Sequence, residues 1–197
     1  MTPRRRALAV LAAAVAALAP VAACGIPTDD SPRVLAADTS TTVAAPSSAP
    51  ADSANATDIY LSSGEGSRVL VARRRGLDDE PNPERALEAL LAGPTTRDLD
   101  EGLTTSIPTE SDLLGWDLDD GTLTIDLNEA FYTREGEAAV STFAQVVLTV
   151  TALRTAEIER VRFRREGDAI QAFTARAAGT KDVVTRADYR SLDPDPD

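Results

Sequence analysis

The sequence predicts an α+β domain in which two helices pack on a mostly antiparallel sheet. Three observations predict it. Apolar residues alternate with polar ones between 114 and 127, on both sides of Asp120-Gly121. Two other stretches, 87–91 and 139–153, repeat apolar residues at three- and four-residue spacing, the period of a helix with one buried face. Short alternating runs flank both stretches, which gives the order β-β-α-β-β-α-β-β and places helices on one side of a sheet.

Each element has its own signal. Ile59 and Leu61 begin a strand, and 62–67, Ser-Ser-Gly-Glu-Gly-Ser, is turn chemistry. Val69 and Val71 continue a second strand that ends in Arg73, Arg74 and Arg75. Asn82 reads as a helix N-cap with Pro83 at the first helical position and Glu84 in the first turn. Leu87, Leu90 and Leu91 form the buried stripe, and Gly93-Pro94 stops the helix. The Asp120-Gly121 loop of a type I′ hairpin pairs Leu118 with Leu123, Trp116 with Ile125 and Leu114 with Leu127. All six then share one face, with Trp116 in the core, and Asp117, Asp119, Thr124 and Asp126 face the other way. Phe131 and Tyr132 close the core beside the second helix, whose stripe is Ala139, Phe143, Val146, Val147, Val150 and Leu153. Its β-branched residues give low intrinsic propensity, so packing must hold it. After it Val161 and Phe163 alternate with Arg160, Arg162 and Arg164, and a second tight turn at Glu166-Gly167 sets Phe163 against Ile170 and Arg165 against Asp168.

Composition narrows the chemistry. The chain has 197 residues, 43% hydrophobic and 4% aromatic, with 32 acids against 20 bases. It is too apolar to be disordered throughout and too acidic for a nucleic-acid footprint. It has no His and one Cys, which removes Ser-His-Asp triads, Cys-His pairs and His or Cys zinc sites.

The N-terminus reads as an address. Arg4, Arg5 and Arg6 precede an uncharged apolar run over 7–19, too short to span a bilayer. Small residues follow, as in a secretory signal peptide over 1–23. Val21-Ala22-Ala23-Cys24 resembles a bacterial lipobox, in which the Cys becomes the mature N-terminus and carries a diacylglycerol. Lipidation of Cys24 explains an unpaired thiol in an exported chain, and more than one acyl chain makes an anchor stable. Loss of three Arg with the signal takes the formal charge from −12 to −15. Residues 24–56 contain 21 Ala, Ser, Thr or Pro in 33 positions and no aromatic, so they read as a disordered tether. The folded domain then spans 57–192, and 193–197 is a frayed tail.

Six segments stand in a fixed order: Leu90-Leu91-Ala92-Gly93-Pro94, Ser106-Ile107-Pro108, the strand from Gly121 to Leu127 with Phe131 beyond it, Thr142-Phe143-Ala144-Gln145-Val146-Val147, Val161-Arg162-Phe163 and Val184-Thr185-Arg186-Ala187-Asp188-Tyr189. Together they resemble the GerMN domain, the sporulation and spore germination module. Thr109-Glu110-Ser111 departs from the family's usual Gly after Ile-Pro. Cys24-Gly25-Ile26-Pro27 resembles actinobacterial lipoproteins that carry this domain outside the membrane. The resemblance implies a non-enzymatic envelope module, shaped like the ring-building domains of sporulation complexes, with no catalytic residues to transfer. It implies a lipid-anchored protein that binds an envelope partner or assembles with itself, with no cofactor and no metal.

Asp117, Asp119, Asp126 and Glu129 are the available carboxylate cluster, and the alternation makes them a solvated sheet face rather than a glycosidase pair or a calcium loop. Arg160, Arg162 and Arg164 form a basic stripe in an acidic domain. It reads either as a docking surface for an acidic partner or anionic lipid headgroups, or as the charge that protects an edge strand. Arg73, Arg74 and Arg75 join it if the strands are neighbours. The alternative function is an envelope lipoprotein that binds peptidoglycan, carbohydrate or another ligand. That needs a groove.

Overall fold

The computed structural model describes residues 55–63, 68–175 and 179–196. The chain order is β1 (Ala56–Ser63), β2 (Val71–Gly76), α1 (Pro83–Leu91), α2 (Thr96–Asp100), β3 (Leu103–Thr104), β4 (Leu113–Asp119), β5 (Thr122–Leu127), a 3₁₀ turn (Glu129–Thr133) and α3 (Gly136–Thr151). Then come β6 (Arg160–Arg165), β7 (Asp168–Ile170), β8 (Ala172–Phe173), β9 (Thr180–Lys181) and a 3₁₀ turn (Arg186–Tyr189). The strands form a three-stranded sheet β2-β1-β3, a four-stranded sheet β4-β5-β6-β7 and a ladder β8-β9. The architecture is α+β, as the patterning predicts.

Local chemistry sets the boundaries of α1. Asn82 Oδ1 accepts from the Arg85 N–H at 3.0 Å, Pro83 occupies the first turn, and Gly93 at φ +78° leaves the helix. α2 begins with a capping box, Thr95 with Asp98, that the sequence reading passed over although the Thr-x-x-Asp spacing encodes it.

At the β4–β5 turn, Asp120 and Gly121 both have positive φ, 44° and 69°, as a type I′ loop requires. Leu118↔Leu123 and Trp116↔Ile125 pair as expected. The third pair is Leu113↔Leu127, because a bulge at 113–115 takes Leu114 out of register. Leu123, Ile125 and Leu127 are fully buried, but Leu114, Trp116 and Leu118 are 54%, 40% and 37% exposed. The expectation that Trp116 is a core residue is therefore corrected. β4 is the edge of its sheet, so its inward side chains lie at the rim rather than under the helical layer.

β5 and β6 pair in parallel, Leu123 beside Val161 and Ile125 beside Phe163. Parallel neighbours need a long crossover, and α3 is that crossover. The Gly121 carbonyl accepts from Glu159 N and Arg160 N at 2.9 and 3.0 Å, which docks the start of β6 on the hairpin turn. Phe163↔Ile170 and Arg165↔Asp168 form the second hairpin as predicted.

The core gathers between these layers. α3 buries Phe143, Ala144, Val146, Val147, Leu148 and Val150. The Phe, Val and Leu side chains among them each contribute roughly 1.5–3 kcal/mol when fully buried. Phe143 meets Phe131 and Phe163 edge-to-face at 5.7 and 4.8 Å, and Tyr132 edges Phe131 at 5.0 Å. Buried polar groups on α3 are satisfied: Thr149 Oγ1 accepts from Tyr60 N at 3.2 Å, and Thr142 Oγ1 donates to Ala138 and Ser106 carbonyls. The C-terminal segment closes the domain. Tyr189 is buried and donates to the Phe173 carbonyl at 2.7 Å, and Leu70 N donates to Leu192 O at 2.8 Å. Asp193 is not frayed: its carboxylate takes Arg186 Nε and Nη2 at 2.6 and 2.7 Å, and the residue is buried.

Candidate docking face

The outward face of the four-stranded sheet is built from register. In rows across the strands, Asp119, Thr122 and Arg160 lie side by side, then Asp117, Thr124 and Arg162, then Gly115, Asp126, Arg164 and Ala169. Neighbouring strands are about 4.8 Å apart, so the acidic column of β4 and the arginine column of β6 are separated by about 10 Å. Arg162 and Arg164 are exposed, and Arg160 is half-buried.

The three arginines are not equivalent. Arg160 Nη2 donates to the Asp120 carbonyl at 2.5 Å and lies 3.5 Å from its carboxylate. Arg162 and Arg164 have no ion-pair partner among the described residues. The nearby carboxylate of Asp126 is engaged with the Gly167 N–H at 3.1 Å. Tyr132 donates to the Arg164 carbonyl at 2.7 Å and so fixes the backbone beneath that guanidinium. Burial pushes the Tyr132 hydroxyl up, helped by Asp126 and opposed by Arg165, so it stays protonated and keeps donating.

β6 is not an edge strand. β5 flanks it on one side, and β7 with the Val161↔Val184 bridge flanks the other. The edge-protection reading of the arginine stripe falls with that. Arg73, Arg74 and Arg75 do not join the stripe, because β2 belongs to the other sheet. Instead Arg75 and Arg73 grip Asp98 at 2.9 and 3.8 Å, Arg73 also pairs with Glu101, and Arg74 lies 3.8 Å from Asp58. Burial pushes the Asp98 carboxyl up, but hydrogen bonds from Thr95 and Arg75 outweigh it and hold the group below the usual carboxylate range. Sequence reasoning missed this clamp.

A groove of about 640 Å³ lies between the β1 end and α3, where Ser62, Ser106 and Ser141 converge. Ser106 Oγ donates to Ser141 Oγ at 2.9 Å, and Ser62 Oγ sits 3.3 and 3.2 Å from the other two. Gln145 Nε2 donates to Ser62 and Ser141 at 3.0 and 3.3 Å. With each hydroxyl donating once around the ring, one acceptor lone pair on Ser106 is left for an occupant.

Val21, Ala22, Ala23 and Cys24 lie outside the described residues, as do the predicted signal peptide and positions 24–54 of the tether. Ala56 opens β1. No described helix is long and apolar enough to cross a membrane. Among the described residues no group of three Cys, Asp or Glu is placed to hold a metal ion.

A family model described as "Germane: Sporulation and spore germination" matches residues 58–171. No curated protein matches. Among solved structures, the first GerMN domain of the sporulation protein GerM from Bacillus subtilis is 24% identical, covers 67% of this chain and 98% of its own, and superposes with TM-score 0.52. The tandem GerMN domains of the same protein give 24% identity and TM-score 0.51, with 68% of this chain and 46% of that one covered.

Proposed function

Because the chain belongs to the sporulation and spore germination family, of GerMN type, we propose that it is a lipid-anchored cell-envelope protein whose domain docks another protein without catalysing a reaction. Cys24 carries the lipid on the extracytoplasmic side of the membrane, and the tether presents the domain. The observation that carries the docking reading is the exposed outer sheet face on which Arg162 and Arg164 form no ion pair among the described residues. Two unpaired guanidiniums in a chain of net charge −12 are a local site for an acidic surface. Carbohydrate binding has less support. The hydroxyls of the serine groove are already used on one another, and no aromatic ring lines it.

Two measurements test the proposal. Metabolic labelling with an alkyne palmitate analogue should mark the wild type in the membrane fraction, and Cys24→Ser should lose both label and membrane association. Photo-crosslinking in cells from position 169, an exposed neighbour of Arg164 in the same row, should give a discrete protein adduct. That adduct should vanish when Arg160, Arg162 and Arg164 are all changed to Glu. Adducts with lipid alone would overturn the docking reading.

A further inference from the structure

We infer that the open edge of β4 accepts, by strand addition, an extended segment of another protein in which basic and apolar residues alternate. This rests on the reading of the domain as a docking module. It adds a second surface and the chemistry of its occupant.

The backbone comes first. The two-residue loop makes Asp119↔Thr122 the closing hydrogen-bonded pair of the hairpin. By alternation Asp117 and Gly115 also bond β5, and Trp116 and Leu118 aim their N–H and C=O groups away from it. No described residue takes those groups up, so four hydrogen-bonding groups stand in a row at the sheet edge. Such an edge is a template for another strand.

Side chains specify the guest. On the inward side, Trp116 and Leu118 are the exposed apolar pair, and a groove of about 560 Å³ continues from Trp116 to Leu91 on α1. A guest residue opposite Trp116 or Leu118 shares that side and gains by being apolar. On the outward side stand Asp117 and Asp119, while Glu84 and Asp112 line the groove. None of these four carboxylates forms a salt bridge among the described residues, so guest residues on the outward side gain by being basic. Ser111 lines the same groove, and its Oγ is buried with no partner among the described residues. Groups in that state are uncommon in folded proteins, and a guest in the groove could supply the missing partner. A second copy is a poor guest, because its own β4 brings Asp117 and Asp119 against the same two residues.

Trp116 is the chain's one tryptophan, so its fluorescence reports this edge alone. The full chain is titrated with a ten-residue alternating Lys-Val peptide, its Glu-Val counterpart, and two Lys-Val versions N-methylated at every Val or at every Lys. The two methylation patterns block opposite edges of the peptide. The expected result is a saturable blue shift with Lys-Val, at least tenfold weaker binding of Glu-Val, and loss with one methylated version but not the other. No shift, equal response to Glu-Val, or equal response to both methylated peptides would overturn the inference. So would a blue shift that grows with protein concentration in the absence of peptide, which would give the edge to a second copy. If the peptide fails while crosslinks from position 169 survive, the edge assignment falls and the docking reading stands.

Discussion

Asp98 shows how a single side chain can join two elements. It accepts from Thr95 N and Thr95 Oγ1 at 2.8 and 2.7 Å, which caps α2, and from Arg75 on β2. Asp98→Asn removes the charge and leaves Arg75 short of its partner in a half-buried site. The expected cost is about 1–3 kcal/mol, read from urea midpoints at pH 7. Asp188 has the same design, with Thr185 in a capping box and Lys181 as the cation. Burial pushes its carboxyl up, and Lys181 and Thr185 more than reverse that. Both native carboxyls lie below their unfolded value of about 3.9. Their contribution is therefore complete above that value and is lost as pH falls through the lower native ones. Tyr189 works in the opposite direction. Its pKa is raised, first by burial and then by Asp188, so its contribution is complete below the unfolded value of about 10 and is lost as pH rises beyond it. Tyr189→Phe should cost about 1 kcal/mol at neutral pH and flatten the loss of stability measured above pH 10 by thermal melts.

Among the elements, the β4–β5 hairpin concentrates most on one position. Gly121 needs φ +69°, and its carbonyl accepts two N–H groups from the start of β6. A Cβ there would sit 3.5 Å from the Glu157 carbonyl, an ordinary contact, so the strain of Gly121→Ala is in the backbone alone. The expected loss is about 1–2 kcal/mol in denaturant titrations. This hairpin was the most legible part of the sequence, because loop chemistry and alternation both point to one register. The helix at 83–91 was legible because cap and three-four spacing agree, and the helix at 136–151 from its spacing alone. What alternation could not show is lateral position. Inward side chains on β4 and β5 follow the same pattern, yet Ile125 is buried and Trp116 is not, because only pairing order tells an edge strand from an internal one. The same blindness hid that β6, with its arginine stripe, lies inside the sheet. The Asp98 clamp escaped because its partner, Arg75, lies 23 residues away in sequence.

Across the whole molecule, the two faces of the sheet divide the labour. The inner face carries the aromatic cluster, and Phe143→Ala should cost about 3–5 kcal/mol by calorimetry. The outer face carries charges that touch little. Changing Arg162 and Arg164 together to Glu should move stability by less than about 0.5 kcal/mol per site. A variant that melts like wild type and has lost its crosslink would separate docking from folding. The candidate site was half legible in the sequence: the period-two arginines gave the stripe, but only the structure distinguishes Arg160, held by Asp120, from the two beyond it.

Time enters through the parallel pairing of β5 with β6. The hairpin closes over a two-residue loop, which takes microseconds. β6 can dock only after the whole of α3 has been made, and Arg186 must reach Tyr60 across 126 positions. A chain whose core is closed by such distant contacts folds more slowly than one built from local contacts. The apolar side of β1 has its cover in α1 and α3, and Thr149 on α3 takes the Tyr60 N–H from 89 positions away. β1 is thus sealed by a helix made long after it.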